Sequence, residues 1–131
     1  MATILIIDDK KDIVDAISTF LIEFGHQVYA YTDVYDALKC AQQQEDVELV
    51  ITDVLMPHMN GCELLSQLKK ISHMRFIPYI GMSGGAVDDK HKGLIDEMAS
   101  KVTCFLSKPV FPKDLLEAVE VSLQKRSAAH A

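Results

Sequence analysis

Residues 4–9 read Ile-Leu-Ile-Ile-Asp-Asp, a short apolar run that is closed by two acidic side chains. Three of its four apolar residues are β-branched, and a continuous apolar run of this length suits a strand that is covered on both faces. The run has no basic residue before it, and it is far shorter than the roughly 18 apolar residues of a membrane span. We therefore expect neither a signal peptide nor a membrane insertion here, and residues 4–7 are predicted to form the first strand of a buried sheet.

Similar runs recur along the chain and alternate with helical patterns. The predicted strands cover residues 4–7, 28–31, 49–52, 77–82 and 103–106. A stripe of apolar residues at helical spacing follows each of them. This alternation predicts parallel strands that are joined by right-handed crossovers, with helices on both faces. The predicted fold class is α/β: a doubly wound, five-stranded parallel sheet with five helices.

Length and composition indicate one globular domain. With 131 residues, 49% of them hydrophobic, the chain has the size of about one domain and leaves no room for a separate output or catalytic domain. We predict a domain over residues 1–125 and a loose C-terminal tail over residues 126–131. The formal charge of −6 argues against nucleic acid or anionic lipid as the main partner. The three cysteines form no CxxC pair, which favours free thiols in a reducing cytoplasm.

Charged and hydroxyl side chains stand where the predicted strands end. They are Asp8 and Asp9 after the first strand, Asp53 after the third, Ser83 after the fourth and Lys108 after the fifth. Open parallel sheets bind ligands beyond the carboxyl ends of their strands. We therefore expect three carboxylates, one hydroxyl and one ammonium to share a cleft. Thr32 or Asp33, after the second strand, is suited to cap a helix.

Three carboxylates in one cleft repel one another, and a divalent cation relieves that repulsion. Carboxylate, carbonyl and water oxygens are the ligands that suit Mg²⁺. Three acids, one Mg²⁺ and the ammonium of Lys108 sum to a formal charge of zero. A site of that kind can accept a dianionic phosphoryl group, whose transfer needs mainly positioning and cations on the transferring oxygens.

Each of these residues also has an ordinary structural interpretation. An aspartate at a strand end is often the N-cap of the next helix, and Ser83 beside Gly84 is compatible with a plain turn. Lys108, which precedes Pro109, is compatible with a solvated loop lysine. The argument for a site depends on the conjunction, because chance placement of all five groups at the correct strand ends is improbable.

Four motifs extend this pattern. They are ILIIDD at residues 4–9, DVLMPHMNG at 53–61, MSGG at 82–85 and FLSKP at 105–109. Together they resemble the receiver domain of two-component response regulators, and the resemblance covers essentially the whole chain. It implies the flavodoxin-like strand order 2-1-3-4-5. It also implies a phospho-acceptor signalling domain and not an enzyme, although such a domain assists its own phosphorylation and dephosphorylation.

The resemblance assigns a metal-binding and phosphorylation site. Asp53 would accept the phosphoryl group. Asp8, Asp9, Asp53 and the backbone carbonyl of Leu55 would hold Mg²⁺, for which Mn²⁺ can substitute.

The remaining roles concern switching. Ser83 would be the switch hydroxyl that bonds the phosphoryl oxygen, Lys108 would pair with the phosphate, and Phe105 would be the switch aromatic. Because Lys108 must turn back toward Asp53 at the end of the fifth strand, we predict a cis Lys108–Pro109 bond and a contact between the ammonium and the Asp53 carboxylate.

The implied partners are a histidine kinase or histidine phosphotransfer protein and a downstream protein at the face of the fourth helix, fifth strand and fifth helix. Homodimerisation stays an open alternative. So do a degenerate receiver that works only as an interaction module and a receiver cut from a longer hybrid kinase or regulator. A phosphatase that forms an aspartyl-phosphate would usually show DxDxT, and a nucleotide-binding domain would show GxGxxG or GKS/T; both motifs are absent from the sequence.

Overall fold

The computed structural model describes the backbone of residues 1–84 and 89–130 and the side chains of residues 1–84 and 91–125. Strands and helices alternate within these ranges. Their bounds are β1 Thr3–Ile7, α1 Lys11–Glu23, β2 Gln27–Tyr31, α2 Val34–Gln43, β3 Leu49–Asp53, α3 Gly61–Lys69, a 3₁₀ turn Ser72–Met74, β4 Tyr79–Ser83, α4 Asp89–Lys101, β5 Cys104–Ser107 and α5 Pro112–His130.

The strands of the described residues form one parallel sheet in the order β2-β1-β3-β4-β5, which confirms the predicted architecture. Every residue of β1, β3 and β4 is buried, as expected for strands that have neighbours on both sides and helices on both faces. The edge strands β2 and β5 are more exposed. The order changes direction beside β1, and this places the β1–α1 loop at the switch point of the sheet.

Alternating side chains of the strands pack into two apolar clusters, one on each face. Leu5 and Ile7 of β1 join the cluster on the α2, α3 and α4 side. Ile4 and Ile6 join the cluster on the other side, with residues of α1 and α5. The period of two along a strand produces this division. Because both faces of the sheet are packed, the residues at its carboxyl edge are held in fixed positions.

Two helices beside that edge begin with capping side chains. Asp33 caps α2 by accepting from the backbone N–H groups of Tyr35 and Asp36, so Asp33 and not Thr32 is the cap. Asn60 and Glu63 form a capping box at the start of α3. These caps fix the ends of the loops that follow β2 and β3.

The structure adjusts two predicted strand ends. β3 and β4 extend through Asp53 and Ser83, since both residues still pair with the neighbouring strand. The helix α5 spans Pro112–His130 and so runs from the predicted domain into the predicted tail. Among the described residues, no helix has the length and apolar character needed to cross a membrane.

Candidate functional site

The predicted site residues gather at the carboxyl edge of the sheet. Asp8 and Asp9 follow β1, Asp53 ends β3, and Lys108 follows β5. Asp8, Asp9 and Asp53 each place a carboxylate oxygen within 4.8 Å of the other two. Because β1 and β3 are neighbours in the sheet, their ends bring together acids that are distant in sequence.

Asp53 is almost completely buried, with 3% of its surface exposed. Its Oδ1 accepts a hydrogen bond from the backbone N–H of Val54 (2.9 Å), and its Oδ2 lies 3.2 Å from Lys108 Nζ. Burial raises the pKa of Asp53, and the charge of Asp8 raises it further. Lys108 and the Val54 N–H oppose that rise. Asp53 is thus a desolvated carboxylate, held in place and supported by one cation.

Lys108 lies between two carboxylates. Its Nζ donates to Asp8 Oδ2 (2.5 Å) and forms an ion pair with Asp53. Burial lowers the pKa of Lys108, but the hydrogen bond to Asp8 and the charges of Asp53 and Asp8 outweigh this effect, so that its pKa is raised. The Lys108–Pro109 bond is cis, as predicted, and the Lys108 N–H donates to the Ser83 carbonyl (2.7 Å). Both geometric predictions for Lys108 are confirmed.

The remaining acidic oxygens are suited to a hard cation. Asp8 Oδ1 accepts from the backbone N–H of Lys10 (2.9 Å), and its other oxygen is held by Lys108. Asp9 Oδ1 is buried and, within the described part of the chain, has no hydrogen-bond partner, although Lys10 Nζ lies 3.9 Å away. An unpaired buried carboxylate oxygen is costly. The three carboxylates and Lys108 leave a formal charge of −2, which one Mg²⁺ ion would balance. Carboxylate oxygens are also ligands that Mg²⁺ prefers.

Ser83 and Leu55 are the remaining predicted site residues at this edge of the sheet. Ser83 is buried at the end of β4, and its hydroxyl donates a hydrogen bond of 3.5 Å to the Gly84 carbonyl. A serine hydroxyl can rotate and so reorient toward a ligand. Leu55 lies in the β3–α3 loop with 37% of its surface exposed. Gly85 of the MSGG motif lies outside the described residues.

Phe105 lies in β5, away from the carboxylates. It is half-buried and packs against the cluster on the α2, α3 and α4 side of the sheet. Its backbone pairs with Gly81 of β4. The structure therefore places this residue between the sheet and α4 and not in the acidic cleft.

Three backbone contacts of the site could not be predicted from the sequence. The N–H groups of Val54 and Lys10 hold the carboxylates, and a backbone donor is the same in every residue type except proline. The third is a close approach at Gly61. A Cβ there would lie 2.6 Å from the Asp53 carbonyl oxygen, so the first turn of α3 can pack against Asp53 only with glycine. The glycine was visible in the sequence, but its neighbour was not.

The side of the cluster at Asp9 is open. A cavity of about 260 Å³ lies beside it, between the loops that follow β1, β2 and β3. Asp9, Asp33 and His58 are among its lining residues. A donor group or solvent can therefore approach the acids from this side, whereas Lys108 closes the opposite side.

Comparisons with known proteins agree with this geometry. A model of the response regulator receiver domain family matches residues 4–120. The chain is 36% identical over 115 residues to the probable transcriptional regulator ycf29 of Pyropia yezoensis, covering 84% of this chain and 49% of that protein. It is 33% identical over 112 residues to the two-component response regulator ORR5 of Oryza sativa, covering 86% of this chain and 81% of that protein.

The fold has close structural neighbours. A receiver domain protein of Clostridium thermocellum superposes with a TM-score of 0.85 at 26% identity, covering 98% of this chain and 99% of that chain. The chain spans about half the length of the first curated relatives that it matches. A family match over residues 4–120, the strand order and the acidic edge agree, and the chain belongs to the family of response regulator receiver domains.

Proposed function

We propose that this domain accepts a phosphoryl group on Asp53 from a phosphohistidine and uses it to change the binding of a partner. The observation that supports this most directly is the arrangement around Asp53. A buried carboxylate faces an ammonium at 3.2 Å, and two further acids lie beside it with one unpaired oxygen. Lys108, together with a cation held by the acids, would supply positive charge where the oxygens of a transferring phosphoryl group would lie.

In the transfer, a carboxylate oxygen of Asp53 forms a bond to phosphorus while the P–N bond to the donor imidazole breaks. The imidazole leaves with the electron pair of that bond and takes up a proton, and the product on Asp53 is an acyl phosphate. Attack requires the ionised carboxylate. Lys108 favours that form against the burial that raises the pKa of Asp53.

Asp8, Asp9, Asp53 and the Leu55 carbonyl are the groups that we assign to Mg²⁺. When bound, the ion would supply two positive charges, which balance the formal −2 of the cluster and lower the cost of accepting a phosphoryl group. Asp9 contributes the unpaired oxygen, and Lys10 N–H holds Asp8 in orientation. Lys108 is assigned to a phosphoryl oxygen, as is Ser83, whose buried hydroxyl lies at the end of β4.

Hydrolysis of the acyl phosphate by water returns Asp53 to its starting form and completes the cycle. Between the two events, we propose that bonding of the phosphoryl group to Ser83 and Lys108 shifts the population of the surface formed by α4, β5 and α5. A histidine kinase or a phosphotransfer protein is the proposed donor, and an effector at that surface is the proposed output. We place the protein in the cytoplasm, in line with its three free cysteines.

The test is intact-mass spectrometry after incubation with acetyl phosphate and Mg²⁺. The wild-type chain is expected to gain the mass of one phosphoryl group, and chelation of Mg²⁺ should prevent this. Asp53→Asn should gain none, while the matched control Asp36→Asn, at an exposed position of α2, should behave as wild type. A wild-type chain that stays unmodified would indicate an interaction module, and full labelling of Asp53→Asn would exclude Asp53 as the acceptor.

A further inference from the structure

Gly81 lies in β4, directly opposite Phe105 of β5 in the ladder. A Cβ placed on Gly81 would lie 3.0 Å from Phe105 Cδ2, 3.2 Å from Cε2 and 3.4 Å from Met98 Cγ. Carbon atoms in contact are normally 3.5–4.0 Å apart. The ring of Phe105 therefore lies in space that a side chain at position 81 would otherwise fill.

The ring is enclosed from the helix side as well. Met98 of α4 is fully buried over the same space, and its Sδ lies 3.9 Å from Cys62 Sγ of α3. Cys62 also contacts the Leu94 carbonyl at 3.6 Å. The Phe105 ring thus lies between β4 and α4, and α4 in turn packs against α3.

Of the glycines that the structure describes, Gly81 alone stands against the Phe105 ring. Gly84 and Gly93 have no described heavy atom within 4 Å of the position of a Cβ, so that a side chain there would meet none of the described residues. Gly81 has no positive backbone φ angle that would require glycine. Close approach of the ring is the physical reason for glycine at this strand position.

We infer that Gly81 is the positioning residue for Phe105: its missing side chain creates the space in which the ring lies, and this packing holds the ring against the sheet in the free protein. The inference deepens the proposed function, because Phe105 is the aromatic residue that we assign to switching. We expect a ring that is held by packing to change its orientation little when Asp53 is phosphorylated. The output would then depend on α4, which contacts the ring through Met98.

The first test uses the sign of a stability change. Glycine weakens a strand interior, so that Gly81→Ala should raise the melting temperature if nothing occupied the space. With the ring in place, we expect Gly81→Ala to lower the melting temperature. In a Phe105→Val background, which lacks the δ and ε carbons, the same substitution should leave it unchanged or raise it. Gly93→Ala, in α4 with open space around it, is the matched control and should give the same effect in both backgrounds.

The second test locates the ring directly. The chain contains five phenylalanines, and labelling with 4-fluorophenylalanine gives one ¹⁹F resonance for each. The Phe105 resonance, identified by its loss in Phe105→Val, should show a smaller shift between H₂O and D₂O in the wild type than the resonances of the exposed Phe76 and Phe111. Gly81→Ala should move that resonance toward a solvent-exposed value and leave the signals of the exposed Phe76 and Phe111 unchanged. The wild-type measurement stands even if the variant fails to fold.

Two results would overturn the inference: a solvent-exposed Phe105 resonance in the wild type, or the same stability change for Gly81→Ala in both backgrounds. Both experiments are done without a phosphodonor. Failure of the proposed function would instead appear as no mass gain with acetyl phosphate, so the two failures are distinguishable.

Discussion

The Lys108 ammonium donates a hydrogen bond to Asp8 Oδ2, 2.5 Å away and one hundred residues earlier in the chain. The same ammonium lies 3.2 Å from Asp53 Oδ2. One cation therefore compensates two buried carboxylates, and it closes the sheet edge between the β1–α1 loop and the end of β5. Breaking a buried pair by removing one partner is costly because the other charge is left uncompensated.

Lys108→Met is accordingly expected to destabilise the protein by about 3 kcal/mol near pH 7. The loss should shrink at lower pH, because the pKa of Asp53 is already raised and rises further without the cation. Phosphoryl uptake from acetyl phosphate should be slower and should no longer change partner binding. Urea unfolding at several pH values measures the first effect, and Lys11→Met, whose ion pair with Asp15 is exposed, is the control that should change little. Equal losses for the two variants would contradict the role of Lys108.

Asp53→Asn is expected to raise the melting temperature of the metal-free protein at neutral pH. The folded-state pKa of Asp53 lies above its ordinary value of 3.8, so the protonated form is the one that the fold favours. The stability from this group is present below pH 3.8 and is lost as the pH rises through the raised pKa. The gain from asparagine should therefore be largest near pH 7 and should fade toward pH 4. Calorimetry of both proteins across this range tests the sign, and a gain that grows on acidification would contradict it.

Magnesium is expected to stabilise the free protein. A ligand that binds only the folded state adds about 1.4 kcal/mol when its concentration is ten times its dissociation constant. Asp9→Ala should abolish this response and should raise the melting temperature without metal, because it removes one of three repelling carboxylates. Asp12→Ala, which changes an exposed acid in the first turn of α1, should keep the wild-type response to Mg²⁺. A melting temperature that stays constant in several millimolar Mg²⁺ would argue against the metal site.

Gly61→Ala is expected to disturb the acceptor. The new Cβ would lie 2.6 Å from the Asp53 carbonyl oxygen and 3.0 Å from Val54 Cα, and both are backbone atoms that cannot move aside cheaply. We expect a loss of about 1–3 kcal/mol, as for other overpacked sites, together with slower phosphorylation. Gly93→Ala has open space and should retain the wild-type phosphorylation rate. A Gly61→Ala protein with wild-type stability and rate would show that the contact is not needed.

His26 gives a pH dependence outside the site. Its Nδ1 accepts the Ala2 N–H at 3.0 Å, and burial lowers its pKa below the ordinary 6.5. For a base with a lowered pKa, the stability is present above 6.5 and is lost as the pH falls through the folded-state value. His26→Gln should therefore cost stability at pH 7.5 and little at acidic pH. Melting curves from pH 7.5 to 5 test this; a constant difference between His26→Gln and wild type would refute it.

Much of the fold and of the acidic edge could be predicted because their determinants are local. The run at residues 4–7 is apolar and β-branched, and the alternation of such runs with helical stripes implies a parallel sheet. In that topology, the acids at residues 8, 9 and 53 and the lysine at 108 must lie at one edge. The shared sheet edge, together with the resemblance to receiver domains, was therefore sufficient to predict that Asp53 and Lys108 meet.

Other features depend on contacts between elements that are distant in sequence, and no local pattern records them. The space at Gly81 has meaning only because Phe105 pairs beside it and Met98 covers it. The meeting of Lys108 with Asp8 and Asp53 likewise joins β5 to the ends of β1 and β3. Periodicity and residue type determined which elements form and what stands at their ends. Tertiary packing decided which atoms touch, because contact distances depend on how the strands and helices are placed together in three dimensions.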